Sequence, residues 1–268
     1  LTARAYLWAE NWEAALTEAK KLTDDSKVKM HFPFVDPNKL LQNNYDPDRM
    51  YSTESLFGFY NKDRGLVYKY NFGSDDVGKN LLIPRENYVK QICYSDPGDI
   101  RLQSLWEDRK TLNDKTSLGL VKYKDIIDQG KEDKKDDVEI LQAQKFYGTF
   151  CSCIKLIEAY YIAAEAAGNK GETGTGWKYM DNARDARGLK KIGEDKGMKE
   201  LNISLAREYT REFVGEGQKF FFFKRQNKGF DNEFNGHKEV RGNTDSASDQ
   251  DKEARFVLPL PKSEIDNR

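Results

Sequence analysis

The residues able to carry catalysis are few, and their spacing does not favour it. No H-E-x-x-H, G-x-S-x-G or P-loop pattern occurs in the chain, so the usual signatures of a zinc protease, a hydrolase nucleophile or a phosphate cradle are missing. His31 and His237 stand alone; an isolated histidine is more often a surface or hydrogen-bonded group than a base or ligand. Cys93, Cys151 and Cys153 form no metal-ligand spacing, and three cysteines cannot make a complete disulfide framework. Read on a helix, Cys151 and Cys153 point to different faces and act as small buried hydrophobes rather than redox partners. GETGTG at 171–176 follows a helix instead of a strand and reads as a turn. Asp245, Asp249, Asp251 and Glu253 lack the central glycine and alternating ligands of an EF-hand and read as a solvated loop. Two opposed carboxylates of a glycosidase stay open, since their separation is not written in sequence. No cofactor is implied by any of these residues.

Composition narrows the classes further. Lys plus Arg number 44 and Asp plus Glu 45, for a formal charge of -1. A general nucleic-acid binder needs a basic excess to displace counterions, and this chain has none. Fifteen Phe, fourteen Tyr and four Trp in 268 residues are too many for a disordered tail. No apolar run reaches the length of a membrane span.

The elements that must position any site are mainly helical. In the opening stretch Leu1, Ala5, Trp8, Trp12, Ala15, Ala19 and Leu22 recur at steps of three and four, one face of a helix or a tight helical pair. Trp12, Ala15 and Ala19 resemble a tetratricopeptide helix pair, in which small residues let helices approach. Cys151 to Gly168 reads as a helix apolar on nearly all sides and therefore buried. Gly168 to Gly176 reads as a turn. A further helix from Trp177 ends at Gly188, suited to a left-handed cap, with Leu189 as its hydrophobic contact.

Between these hairpins the character changes. Pro33, Pro37, Pro47, Pro84 and Pro97 break any long helix, and aromatics are scattered among Asn, Asp and Gly. Short helices are predicted at 52–60 and 99–109, and short strands near 66–70 and 118–123. The run 131–137 reads as a solvated loop. A loop-rich insertion of this length, residues 25–150, is usually functional. In the last third a helix is predicted from an N-cap at Ser204 through Leu205, Tyr209 and Phe213, ended by Gly215 and Gly217. The run Phe220 to Phe223 must be mostly buried. Residues 229–252 are polar and irregular. The chain also opens inside an amphipathic pattern, which reads as the C-terminal portion of something longer.

Four blocks carry a resemblance to a known family. LAREYTREFVGEGQKFFFFKR (205–225), IEAYYIAAEA (157–166), NARDARGL (182–189) and LPLPKSEI (258–265) stand in the order of the corresponding RagB/SusD blocks. ARAYLW near the start resembles that family's second tetratricopeptide-like helix. Tyr209 departs from a usually basic position and Phe222 from a usual Asp, so a polar contact expected there is missing. The blocks themselves read as scaffold: exposed i,i+4 pairs contribute only about 0.2–0.5 kcal/mol each, whereas a fully buried Phe contributes roughly 1.5–3 kcal/mol.

The resemblance implies a single SusD-like domain over 1–268, with tetratricopeptide-like hairpins forming an α-α superhelical scaffold. It implies an outer-membrane lipoprotein at the cell surface, its anchor upstream of Leu1. It would bind an oligosaccharide or polysaccharide without cleaving it and pass it to a SusC-like TonB-dependent transporter. Trp106, Tyr88 and Tyr94 are the candidate ligand-binding residues, lying in the insertion beside Asn87, Asp96 and Arg109. Filling a local core is the other fate open to such rings. The rival class is a tetratricopeptide-type adaptor gripping a peptide or protein in a helical groove.

Overall fold

The computed structural model describes residues 1–41, 48–73, 82, 86–110, 116–124 and 149–226. The run 131–137, His237, the polar stretch 229–252, Glu253 and the closing 255–265 lie outside the described residues. The chain divides into two compact units, Leu1–Leu205 and Ala206–Arg268.

The first unit opens with α1 (Thr2–Trp8) and α2 (Trp12–Thr23), the tight pair allowed by the periodicity. The break is local chemistry: Glu10 adopts a φ of 54°, and Asn11 caps α2 by accepting from the Ala14 N–H at 3.1 Å. That break resets the helical rotation. Ala15 and Ala19 are buried as expected, but in α1 Ala3 and Leu7 turn inward while Leu1 and Trp8 are exposed.

The centre of the unit is α7 (Leu156–Asn169), buried along almost its whole length and packed on α2 and on α8 (Thr173–Asp185). Ile157, Tyr161, Ala164 and Ala167 leave no polar face for water, as the pattern predicts. Arg4 grips both carboxylate oxygens of Glu158 and ties α1 to α7. Tyr160 donates to the Thr23 carbonyl at 3.2 Å and Tyr179 to the Asp24 carboxylate at 3.1 Å, fixing the end of α2. Burial, with the Asp24 charge beside it, pushes the Tyr179 phenol up to about 12. After α8 the cap forms as predicted: Gly188 takes φ 76°, the Leu189 N–H donates to the Arg184 carbonyl at 3.0 Å, and Leu189 is buried.

Several local readings are corrected. Residues 52–60 are a single 3₁₀ turn (Ser52–Glu54) followed by strand β1 (Ser55–Tyr60), not a helix. Residues 66–70 lie in helix α5 (Arg64–Asn71), not a strand; α5 buries Tyr68, whose hydroxyl donates to the Leu120 carbonyl at 3.1 Å. The 99–109 helix stops at Leu105: α6 (Ile100–Leu105) gives way to β2 (Trp106–Lys110). The strand near 118–123 is β3 (Thr116–Leu120). Cys151 and Cys153 belong to β4 (Phe150–Lys155), and the helix begins only at Leu156. Gly174 and Gly176 lie inside α8 instead of a turn. The strands form two antiparallel pairs, β1 with β4 and β2 with β3. The short helices α3 (Ser26–His31) and α4 (Pro37–Leu41) complete the unit with the start of α9 (Gly197–Glu212), which begins seven residues before Ser204.

In the second unit the rest of α9 is followed by Gly215 and Gly217, both at φ 76°, and by α10 (Gln218–Arg225). Phe222 and Phe223 are buried, but Phe221 is exposed, so the aromatic run is only partly inward. Arg211 and Glu208 pair at 3.1 Å, both buried. The two positions that depart from the family pattern meet: Tyr209 and Phe222 stack with centroids 4.5 Å apart. A stacked ring pair stands where the sequence departs from the expected polar contact, and it buries no charge there.

Candidate ligand-binding site

The three rings expected to meet a ligand are gathered by the turn Tyr88–Cys93 and the start of β2. The turn is π-helical, and the Tyr94 N–H closes it on the Val89 carbonyl at 3.0 Å. Tyr94 and Trp106 meet edge to face at 6.3 Å and are only 4% and 9% exposed. Tyr88 is half-buried and so retains open surface. Burial pushes both tyrosine hydroxyls above the ordinary phenol range, Tyr88 further under the influence of Cys93. Both therefore stay neutral hydrogen-bonding groups at physiological pH.

Strand pleating explains why Trp106 turns inward. In the β2–β3 hairpin Trp106 faces Leu120, and Leu118 and Leu120 are buried. The other face carries charge. Glu107 lies opposite Gly119 and Arg109 opposite Ser117. A Cβ at Gly119 would come within 2.7 Å of Arg109 Cδ, so glycine there lets the arginine stem lie flat on the strand. Arg109 Nε donates to Glu107 Oε1 at 2.5 Å, and Lys124 Nζ donates to the same oxygen at 3.2 Å. Arg49 reaches the same region and donates from Nε to the Ser104 carbonyl at 3.2 Å. Burial alone would push the Glu107 carboxyl up; Arg109 and Lys124 outweigh it and hold it below the usual carboxylate range. Burial draws the Arg49 guanidinium down against the opposing attraction of Glu107.

A buried network fixes the chain on the other side of this segment. Arg187, from the NARDARGL block, donates from Nη2 to Glu54 Oε2 at 2.9 Å, with both side chains fully buried. Its guanidinium lies 4.4 Å from the centroid of the Tyr51 ring, and Lys155 Nζ lies 5.1 Å from the same ring. Tyr51 itself sits at φ 55°, a left-handed conformation uncommon for a non-glycine residue. Glu54 Oε1 accepts from the Val35 N–H at 3.3 Å.

Sequence reasoning passed over the most accessible rings. Phe57, Phe59 and Tyr60 are 58%, 50% and 66% exposed along β1, and Tyr70 is exposed on α5. The signal was the spacing of Phe57 and Phe59 about Gly58, a period of two that belongs to a strand. Across from Phe59 stands Cys151, half-buried, with its thiol near the Thr149 carbonyl. Among the described residues no group of three or more His, Cys, Asp or Glu could hold a metal ion. Among them, too, no helix is long and apolar enough to cross a membrane.

Residues 151–268 match the model of the SusD family. Over 98% of its length the chain superposes on 55% of a SusD superfamily protein from Bacteroides vulgatus, with TM-score 0.63 and 23% identity. A SusD superfamily protein from Bacteroides thetaiotaomicron matches at TM-score 0.64 and 20% identity, over 98% of this chain and 56% of that one. A SusD-like carbohydrate binding protein from Bacteroides vulgatus matches at TM-score 0.56 and 16% identity, over 85% and 44%. The chain thus spans about 55% of the length of the first two structures. No curated protein matches the sequence. The chain thus shares its fold with SusD superfamily structures, and its residues 151–268 match the SusD family model.

Proposed function

We propose that this chain is part of a surface-exposed, lipid-anchored outer-membrane protein that binds glycans without cleaving them and passes them to a SusC-like TonB-dependent transporter. The observation that carries the reading is the family match over 151–268 joined to a fold shared with a SusD-like carbohydrate binding protein. In this reading residues 25–150 bear the ligand and the helices hold them steady. Tyr88 presents its open face to a sugar ring, with Tyr94 and Trp106 as the packed wall behind it. A ring covering ~60 Å² of sugar C–H surface at ~25 cal/mol/Å² contributes about 1.5 kcal/mol. Two or three such contacts, less the cost of association, give affinities of roughly micromolar to millimolar.

The test is a glycan-array screen followed by calorimetry on the best oligosaccharide. Saturable binding that weakens about tenfold in Tyr88→Ala, a loss of about 1.4 kcal/mol, supports the reading. Reducing ends accumulating with time would instead make the protein a hydrolase. Indifference to every sugar, with capture of a peptide, would make it an adaptor.

A further inference from the structure

We infer that the Glu107–Arg109 face of the β2–β3 hairpin is a subsite for an anionic substituent, a carboxylate or sulfate ester, on the bound glycan. The inference rests on the carbohydrate-binding reading and names the class of sugar. Four half-buried side chains build the face: Arg49, Glu107, Arg109 and Lys124. Glu107 is the one carboxylate among them, and it is already shared: Arg109 and Lys124 both donate to its Oε1. Asp108, the next carboxylate along the strand, faces the opposite side of the pleat, where it pairs with Lys90 at 3.2 Å.

Arg49 is the decisive group. Its Nε is taken by the neutral Ser104 carbonyl. Its guanidinium feels Glu107 through space without forming an ion pair with it. A partly buried guanidinium left with a neutral partner gains from a planar oxyanion, whose two oxygens match the arginine fork. Lys124 has three donors and Glu107 as its acceptor, so it can add a second contact to the same anion. Arg109 closes the floor, lying flat because Gly119 offers no Cβ. The role of Glu107 is to hold Arg109 and Lys124 in place, and its own charge weakens the attraction for the ligand.

That last point gives the inference a signature that packing alone would not produce. Three probes are titrated: trigalacturonate, its carboxyl-reduced neutral counterpart and a sulfated galactose disaccharide. The wild-type chain binds at least one anionic probe tighter than the neutral one, and the preference shrinks as salt shortens the Debye length from about 30 Å at 0.01 M toward 8 Å at 0.15 M. Arg49→Gln weakens the anionic probe about tenfold and leaves the neutral one unchanged; Lys124→Met does the same to a lesser degree. Glu107→Gln strengthens the anionic probe severalfold. Which anionic probe responds distinguishes carboxylate from sulfate. Circular dichroism confirms that each variant is folded. Equal binding of neutral and anionic probes, or an Arg49→Gln variant with unaltered anionic affinity, overturns the subsite and leaves the carbohydrate reading standing. Binding of no probe, together with a blank glycan array, overturns both.

Discussion

The two small sheets of the first unit share a plan and differ in outcome. Each is one antiparallel pair, and each carries large aromatic residues. In β2–β3 the pairing runs from Lys110 with Thr116 to Trp106 with Leu120, close in sequence, and the face of Trp106 turns onto Tyr94 and the leucines. In β1–β4 the partners are separated by about the whole insertion, Phe59 against Cys151, and Phe57 and Phe59 remain in solvent. The difference teaches that composition does not decide which rings are available to a ligand. What decides is whether another element stands behind the strand.

The strongest way to break the comparison is to remove what anchors β1. Arg187→Met removes one cation from the buried Glu54, and loss of one partner of a buried pair typically destabilises by about 3–5 kcal/mol; urea denaturation reads this directly. A loss under about 1 kcal/mol would mean the network does not hold the strand. Trp106→Ala removes the centre of the β2–β3 face and should cost about 3–5 kcal/mol by the same measurement. Phe59→Ala on the exposed strand should change stability by no more than about 0.5 kcal/mol. If Trp106→Ala proved as mild as Phe59→Ala, the contrast between the sheets would disappear.

A smaller effect separates them by pH. Tyr94 is raised by burial, so its proton is held in the fold after the unfolded chain would release it near pH 10. The stabilisation is complete below that value and declines as pH climbs toward the folded value. Tyr94→Phe should therefore flatten the alkaline side of a stability profile, with Tyr179→Phe, whose phenol stands at about 12, contributing a parallel share. Phe57→Ala should leave the profile unaltered.

The helical core was legible because its signals are local. Tyr161, Ala164 and Ala167 repeat with the period of a helix, and Gly188 with Leu189 spells its own cap. The strands were harder because their cause is distant. SLFGFY becomes a strand by pairing with residues nearly a hundred positions away, which no window along the chain contains. The β4 residues Cys151 to Lys155 run without a break into the apolar helix, so the change from period two to 3.6 is hidden. In α5 the alternation of Leu66, Tyr68 and Tyr70 suggested a strand, but the tertiary anchor of Tyr68 on Leu120 prevailed. Of the candidate residues Tyr88, Tyr94 and Trp106, the last two meet in the fold, but the unequal exposure of the three depends on packing that sequence spacing does not encode. Arg49 and Gly119 could not be connected to them, since only the hairpin brings them near Glu107.

The helix cap at Gly188 lies directly against Gly98, which also takes a positive φ of 89°; a Cβ on Gly188 would stand 2.5 Å from the Gly98 carbonyl oxygen. Main chain meets main chain there, and the Ile100 N–H donates to the Arg187 carbonyl at 3.1 Å alongside. A joint made this way carries no side-chain vocabulary of its own. Loops on either side can lengthen, shorten or change sequence while the joint stays shut, so the frame does not depend on what they carry.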